Sequence, residues 1–225
     1  MRNFILILAL LFFTACIGNK KPKTEPKKEE VPTESNVTLL EQPLYDNSLG
    51  SLTIEQIHLK NALDDYLAQL KSLNADNIIS MTYPKLFVPI NQDMFRDYLN
   101  TMLISSDLQI NSFDATITKI GTIKPFSEGT FSQVNYNSTI NISFINPELY
   151  NTQRKLLILD KILSNKYGRE NIRVDSEART ITIKKKEKLL AIKDGSGEWK
   201  FLGDNQEYRR LYPRILPIDI LNNIL

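Results

Sequence analysis

Val134-Asn135-Tyr136-Asn137-Ser138-Thr139-Ile140-Asn141-Ile142-Ser143-Phe144 decides the fold class of this chain. Val134, Tyr136, Ser138, Ile140, Ile142 and Phe144 share one parity, while Asn135, Asn137, Asn141 and Ser143 hold the other. Successive side chains point to opposite faces of a strand, so the pattern predicts one buried face and one wet face, as in an antiparallel sheet. The expected partner is 115–123, joined through Lys124-Pro125-Phe126-Ser127-Glu128-Gly129. Further strands are expected at 172–175, 179–184 and 188–193. The last turns through Asp194-Gly195-Ser196-Gly197 into 199–202, since Asp-Gly between apolar runs marks a hairpin.

Upstream the period changes to that of a helix. Thr53-Ile54-Glu55-Gln56 fits a capping box, and Ile54, Ile57, Leu63, Tyr66, Leu67, Leu70 and Leu73 follow near helical spacing. A shorter helix at 78–82 is stopped by Tyr83-Pro84, because the residue before proline disfavours helical geometry. A third follows Asn91 and is expected to bury Met94, Phe95, Tyr98, Leu99 and Met102. Another begins near Glu148, carries Leu149, Leu156, Leu157, Leu159, Ile162 and Leu163, and closes at Gly168. Tyr208 to Tyr212 is stopped by Pro213, and Pro217 opens a last helix with Ile220, Leu221 and Ile224. Helices first and strands afterwards predict an α+β domain. Its N-terminal helices pack on a curved antiparallel sheet, with an additional helix inserted between strands.

The N-terminus carries a different message. Arg2 supplies a positive start, residues 4–13 are all apolar, and Phe13-Thr14-Ala15-Cys16 places small residues before a cysteine. This resembles a bacterial lipoprotein signal peptide ending in a lipobox. A membrane-spanning helix needs roughly 18 apolar residues, more than this stretch offers. The resemblance implies that 1–15 are cleaved and that Cys16 takes a thioether-linked diacylglycerol and an N-acyl chain such as palmitate. Cys16 is the only cysteine, so no disulfide is expected inside the mature domain. Residues 16–50 mix Lys20, Lys21, Lys23, Lys27 and Lys28 with Pro22, Pro26, Pro32 and Pro43, and read as a flexible tether. Residues 51–225, roughly 175 of them, suffice for one domain.

Charge and motifs exclude several functions. Twenty-eight basic against 26 acidic side chains leave a net charge of +2, well short of the basic excess of a nucleic-acid binder. One histidine and no second cysteine leave no set of ligands for zinc or copper, so no metal is expected. The chain has no GxGxxG, P-loop or GxSxG motif, and no cofactor is expected.

The long opening helix, the hairpin-rich second half and the run from Leu189-Leu190-Ala191-Ile192-Lys193 to Glu198-Trp199-Lys200-Phe201-Leu202 resemble the NTF2-like, or cystatin-like, α+β cone. Gly168, Asn171-Ile172-Arg173-Val174-Asp175, Trp199-Lys200-Phe201 and Leu216-Pro217 are similar to uncharacterised lipoproteins of Bacteroidota. The cone resemblance implies either a binding domain or an isomerase or lyase in which Asp, His and Tyr move protons in an apolar pocket. His58 at the edge of the first apolar stripe and Asp65 two turns on are the catalytic candidates. Tyr66, Tyr83 and Tyr98 are candidate ligand contacts, although aromatics at helical spacing also build cores.

Lys184-Lys185-Lys186-Glu187-Lys188 is the densest basic run and is expected as a polar turn between two strands. A second reading makes it a patch for anionic headgroups or an acidic partner, with Lys193, Lys200, Arg209, Arg210 and Arg214. The leading expectation is a non-enzymatic envelope lipoprotein that binds a small apolar ligand or an envelope protein partner. The alternative is a periplasmic NTF2-like lyase or isomerase. Ile17 after the lipobox cysteine implies an outer-membrane anchor through lipidated Cys16, with the domain facing the periplasm.

Overall fold

The computed structural model describes residues 49–224. Cys16, the signal-peptide resemblance and nearly all of the tether lie outside the described residues. The chain enters through α1 (Ile54–Ser72), whose capping box forms as its sequence predicts. Thr53 N donates to Gln56 Oε1 at 3.0 Å and Gln56 N donates to Thr53 Oγ1 at 3.2 Å. The buried stripe of α1 is centred on Leu59 and Leu63, both with no exposed surface, while Ile54 is left in solvent. After it come α2 (Ala75–Met81), capped by Asn74, and α3 (Gln92–Leu103), capped by Asn91. Phe95 and Leu99 are the buried residues of α3. Met94, expected inside, is exposed, because it lies in the first turn, beside the cap and away from the Phe95–Leu99 stripe.

Six antiparallel strands follow: β1 (Leu108–Ile120), β2 (Lys124–Phe126), β3 (Gly129–Phe144), β4 (Ile172–Asp175), β5 (Thr180–Lys193) and β6 (Trp199–Gly203). The order is β1-β3-β5-β4, with β2 paired to the start of β3 and β6 to the end of β5. The long strands β3 and β5 form the middle of the sheet, and two strands in series flank each outer side. Register shifts at Ile110/Ser112 and Ile117/Lys119 mark irregularities in β1, a device that increases twist and bends a strand. Between β3 and β4 the chain forms α4 (Gln153–Tyr167), ended by Gly168 at φ 91°, whose amide donates to Ser164 O at 2.9 Å. Three short helices end the described residues: α5 (Gln206–Arg209), α6 (Tyr212–Ile215) and α7 (Ile218–Ile224).

The expected break in the fifth strand is absent. Lys184 to Lys188 runs straight through β5, paired without a shift to β3 from Thr139 to Asn135. Alternation explains it: Lys184, Lys186 and Lys188 are exposed, while Lys185 and Glu187 are buried. Pro213 likewise does not stop a helix but sits in the first turn of α6, where its missing N–H costs nothing.

The sheet is covered unequally. On one face, called inner here, α1 packs Leu59 and Leu63 against Val134, Leu189 and Ala191, and α4 packs Leu156, Leu159 and Leu163 against Ile140, Ile142, Ile181 and Ile183. On the outer face, α6 and α7 bury Leu190 and Ile192, but only at the end of the sheet near the β5–β6 turn. This explains the continuous apolar run Leu189-Leu190-Ala191-Ile192, since both faces are buried there. Beyond Leu189 the outer face carries polar side chains. No helix among the described residues is long and apolar enough to cross a membrane.

Candidate functional site

Two inner-face cores meet at the middle of β3 and β5, and between them the sheet carries polar groups. Tyr136 and Ser138 stand on β3 opposite Glu187 and Lys185 on β5. Apolar pairs flank them on the same face, Val134 with Leu189 and Ile140 with Ile183. Lys185 Nζ lies 2.8 Å from Glu187 Oε1, and the two side chains are only 4% and 5% exposed. Ser138 Oγ donates to Glu187 Oε2 at 2.9 Å, and the Tyr136 hydroxyl also hydrogen-bonds the carboxylate. The Lys185 ammonium sits 5.4 Å from the ring centre of Tyr167 at the end of α4, within the range of a cation–π contact.

These contacts set the charge state. Burial alone would raise the Glu187 carboxyl, but the Lys185 charge and the hydrogen bonds from Lys185, Ser138 and Tyr136 outweigh it and hold Glu187 below its ordinary range. Burial pushes the hydroxyls of Tyr66, Tyr136 and Tyr208 above theirs, and the Glu187 charge adds to the shift at Tyr66 and Tyr136. The quartet is therefore a paired ionic cluster in a desolvated setting.

A cavity of about 140 Å³ adjoins this cluster. Tyr66 and Leu70 of α1, Leu99 of α3 and Phe113 of β1 form much of its apolar wall, and Tyr136, Glu187 and Asn205 supply polar groups. Tyr66 stacks on Phe201 with ring centroids 4.5 Å apart, which fixes one side. Tyr208 closes another side from α5, against Gly203, where a Cβ would come within 2.9 Å of its ring. Half-buried Leu73, Ile78 and Leu103 also line it. Two more open hollows, of about 300 Å³ beside α4 and β4 and about 220 Å³ beside α1 and β1, are lined in part by exposed charged residues.

No protein-family model matches the chain. Comparison with curated proteins finds no match either.

Of the residues singled out in the sequence, Tyr66 lines the cavity. Tyr98 does not line it, although its neighbour Leu99 does. The Tyr98 hydroxyl is buried and has no hydrogen-bond partner among the described residues. Tyr83 is fully buried in the core under α6 and α7, and its amide donates to Phe201 O at 2.9 Å. His58 and Asp65 are exposed on α1 and are not among the cavity-lining residues. No group of three or more His, Cys, Asp or Glu able to hold a metal occurs among the described residues.

The residues that sequence reasoning missed are Glu187, Lys185, Tyr136 and Ser138. Their signal was parity: Ile181, Ile183 and Leu189 share the inward positions of β5 with Lys185 and Glu187. Charged residues at inward positions of a strand need partners. The polar pair on β3, Tyr136 and Ser138, stands at the matching positions.

Proposed function

We propose that this chain is a membrane-anchored envelope lipoprotein whose NTF2-like α+β domain holds a small, largely apolar ligand in the cavity beside Glu187, with no bond-making chemistry of its own. The observation that carries the reading is the cavity itself, with apolar walls and one engaged polar edge. At about 140 Å³ it is close to the size of a core cavity that takes benzene. Drug-sized ligand sites run to roughly 300–1,000 Å³. The ligand class is therefore a single small ring or a short branched chain, with at most one or two polar atoms facing Glu187 or Asn205.

The state of the polar groups supports binding over proton transfer. An acid–base catalyst needs a group whose pKa lies near the working pH. Glu187 is held low by its partners, and the nearby tyrosines are held high by burial. His58 and Asp65 stand in solvent away from the cavity. An isomerase or lyase thus has less support than a carrier or sensor of a small molecule. Anchoring through lipidated Cys16, at the outer membrane and facing the periplasm, completes the proposal and rests on the lipobox residues.

The test is thermal unfolding of the full chain with benzene, phenol and benzoate, in parallel with Leu99→Trp, which directs an indole into the cavity. A ligand present at 100 times its Kd stabilises the folded state by about 2.7 kcal/mol. Benzene or phenol is expected to raise the melting temperature of the parent chain only, and benzoate to do nothing, because its carboxylate meets Glu187. Equal shifts in the parent and Leu99→Trp, or none with any small ring, count against the cavity as a binding site.

A further inference from the structure

The outer face of the sheet carries a second feature, on the side of β5 away from Glu187. Lys184, Lys186 and Lys188 project from β5 on the face opposite Glu187, and all three are exposed. The register extends the set: Lys188 lies opposite Asn135, which in turn lies opposite Lys119 on β1, while Arg173 of β4 lies opposite Thr182. None of these five cations makes an ion pair among the described residues. Nearby carboxylates are engaged: Asp114 with Lys71 at 3.0 Å, and Asp175 Oδ1 with the amides of Glu177 and Ala178. Between the cations lie Asn135, Asn137, Thr139 and Asn141, with Asn141 Nδ2 donating to Thr182 Oγ1 at 3.0 Å. Lys193 and Lys200 do not join them. Lys193 ends the strand, and Lys200 is taken up by Glu198 and by Ser80 O.

We infer that this face is a docking surface for an extended acidic segment of a partner protein, one with carboxylates on alternate residues. Charge complementarity requires an anion, and two geometric facts choose among anions. Lys184, Lys186 and Lys188 are two residues apart on one strand, hence about 6.6–6.8 Å apart. An extended peptide repeats its same-face side chains at that same distance, so alternate Asp or Glu meets successive lysines in register. Moreover, α6 and α7 cover the continuation of this face over Leu190 and Ile192. They add a helix layer about 10 Å thick beside the lysines. The lysine floor is therefore recessed at one end, where a flat bilayer meets the helices first and a single extended chain can lie beside them.

The experiment uses the full-length chain in neutral detergent and a fluorescent peptide of alternating Glu and Ser, read by anisotropy at low and physiological salt. A peptide of the same composition with its Glu residues in one block is the spacing control. The triple variant Lys184→Gln, Lys186→Gln and Lys188→Gln is compared with an equal charge loss on α4: Arg154→Gln, Lys155→Gln and Lys161→Gln. All six side chains are exposed, and unchanged melting curves verify the fold. The alternating peptide is expected to bind more tightly than the block peptide, with affinity falling about tenfold in the β5 variant and staying within twofold in the α4 variant, and weakening with salt. Equal binding of the two peptides, or equal loss in the two variants, overturns the inference. Lysine-dependent binding to phosphatidylserine vesicles with no peptide binding also overturns it and assigns the face to the membrane.

Discussion

Replacing Glu187 with Gln removes the only negative charge in the hydrogen-bonded quartet that includes the buried Lys185 ammonium. The carboxylate takes Lys185 on Oε1 and Ser138 on Oε2, with Tyr136 as a third hydrogen-bond partner. The amide of Gln keeps one acceptor oxygen and brings an NH₂ that has nothing to offer an ammonium. Removing one partner of a buried ion pair costs about 3–5 kcal/mol, because the other charge stays buried and uncompensated. For a domain of this size 1 kcal/mol moves the melting temperature by about 2–4 °C, so the expected drop is about 6–20 °C. Thermal unfolding measures the drop, and urea unfolding followed by circular dichroism and by the fluorescence of Trp199 measures the free-energy cost. The double variant Lys185→Met with Glu187→Leu is the counterpart. Swapping a buried pair for apolar groups of similar size is often neutral or stabilising by about 1–4 kcal/mol. The pH dependence has a definite sign. The folded pKa of Glu187 lies below its ordinary value of 4.5, so the carboxylate's contribution is fully present above that value and is lost as the pH falls through the folded pKa. Glu187→Gln should lack that part of the acid limb. A cost below about 1 kcal/mol, with an unchanged acid limb, would refute the reading of the quartet as a desolvated ion pair.

Other expectations follow from packing and chemistry. Gly129→Ala places a Cβ 2.0 Å from Lys193 O and 3.0 Å from Asp194 Cα, both backbone atoms, so refolding yield and stability should fall sharply; a chain with unchanged unfolding would contradict the close approach of β3 and β5 there. Leu59→Ala empties a fully buried position between α1 and the sheet and should cost about 2–5 kcal/mol in urea. Thr53→Ala removes one half of the capping box and should cost about 1 kcal/mol, a difference readable in paired melts. Cys16→Ser should move the protein from the membrane pellet to the soluble fraction after cell breakage, since acyl chains would be the anchor.

Much of the architecture was legible because its signals are local. The alternation at 134–144 became β3, the capping box at Thr53 opened α1, Gly168 closed α4, and Pro217 preceded α7. The hairpin after Asp194 formed, with the positive φ at Gly197 in place of Gly195. The cavity was only half legible, through Tyr66, since the walls come from eight separate elements. Glu187 and Lys185 were hidden by composition: a run of four lysines and one glutamate looks wet, and only its phase against Ile183 and Leu189 shows that two of the five turn inward. Histidine chemistry is versatile, which makes His58 a candidate in the sequence, yet a stripe edge on α1 is a solvent position here. What covers the outer face near Leu190 depends on helices that arrive last in the chain, a long-range contact that no local window contains.

Native mass spectrometry of the mature protein, extracted gently from its own membrane, reads the occupant of the cavity most directly. The binding reading predicts a small non-lipid adduct that is present on the parent chain and absent from Leu99→Trp. A bare lipidated chain in both, with no adduct restored by added small rings, would contradict it.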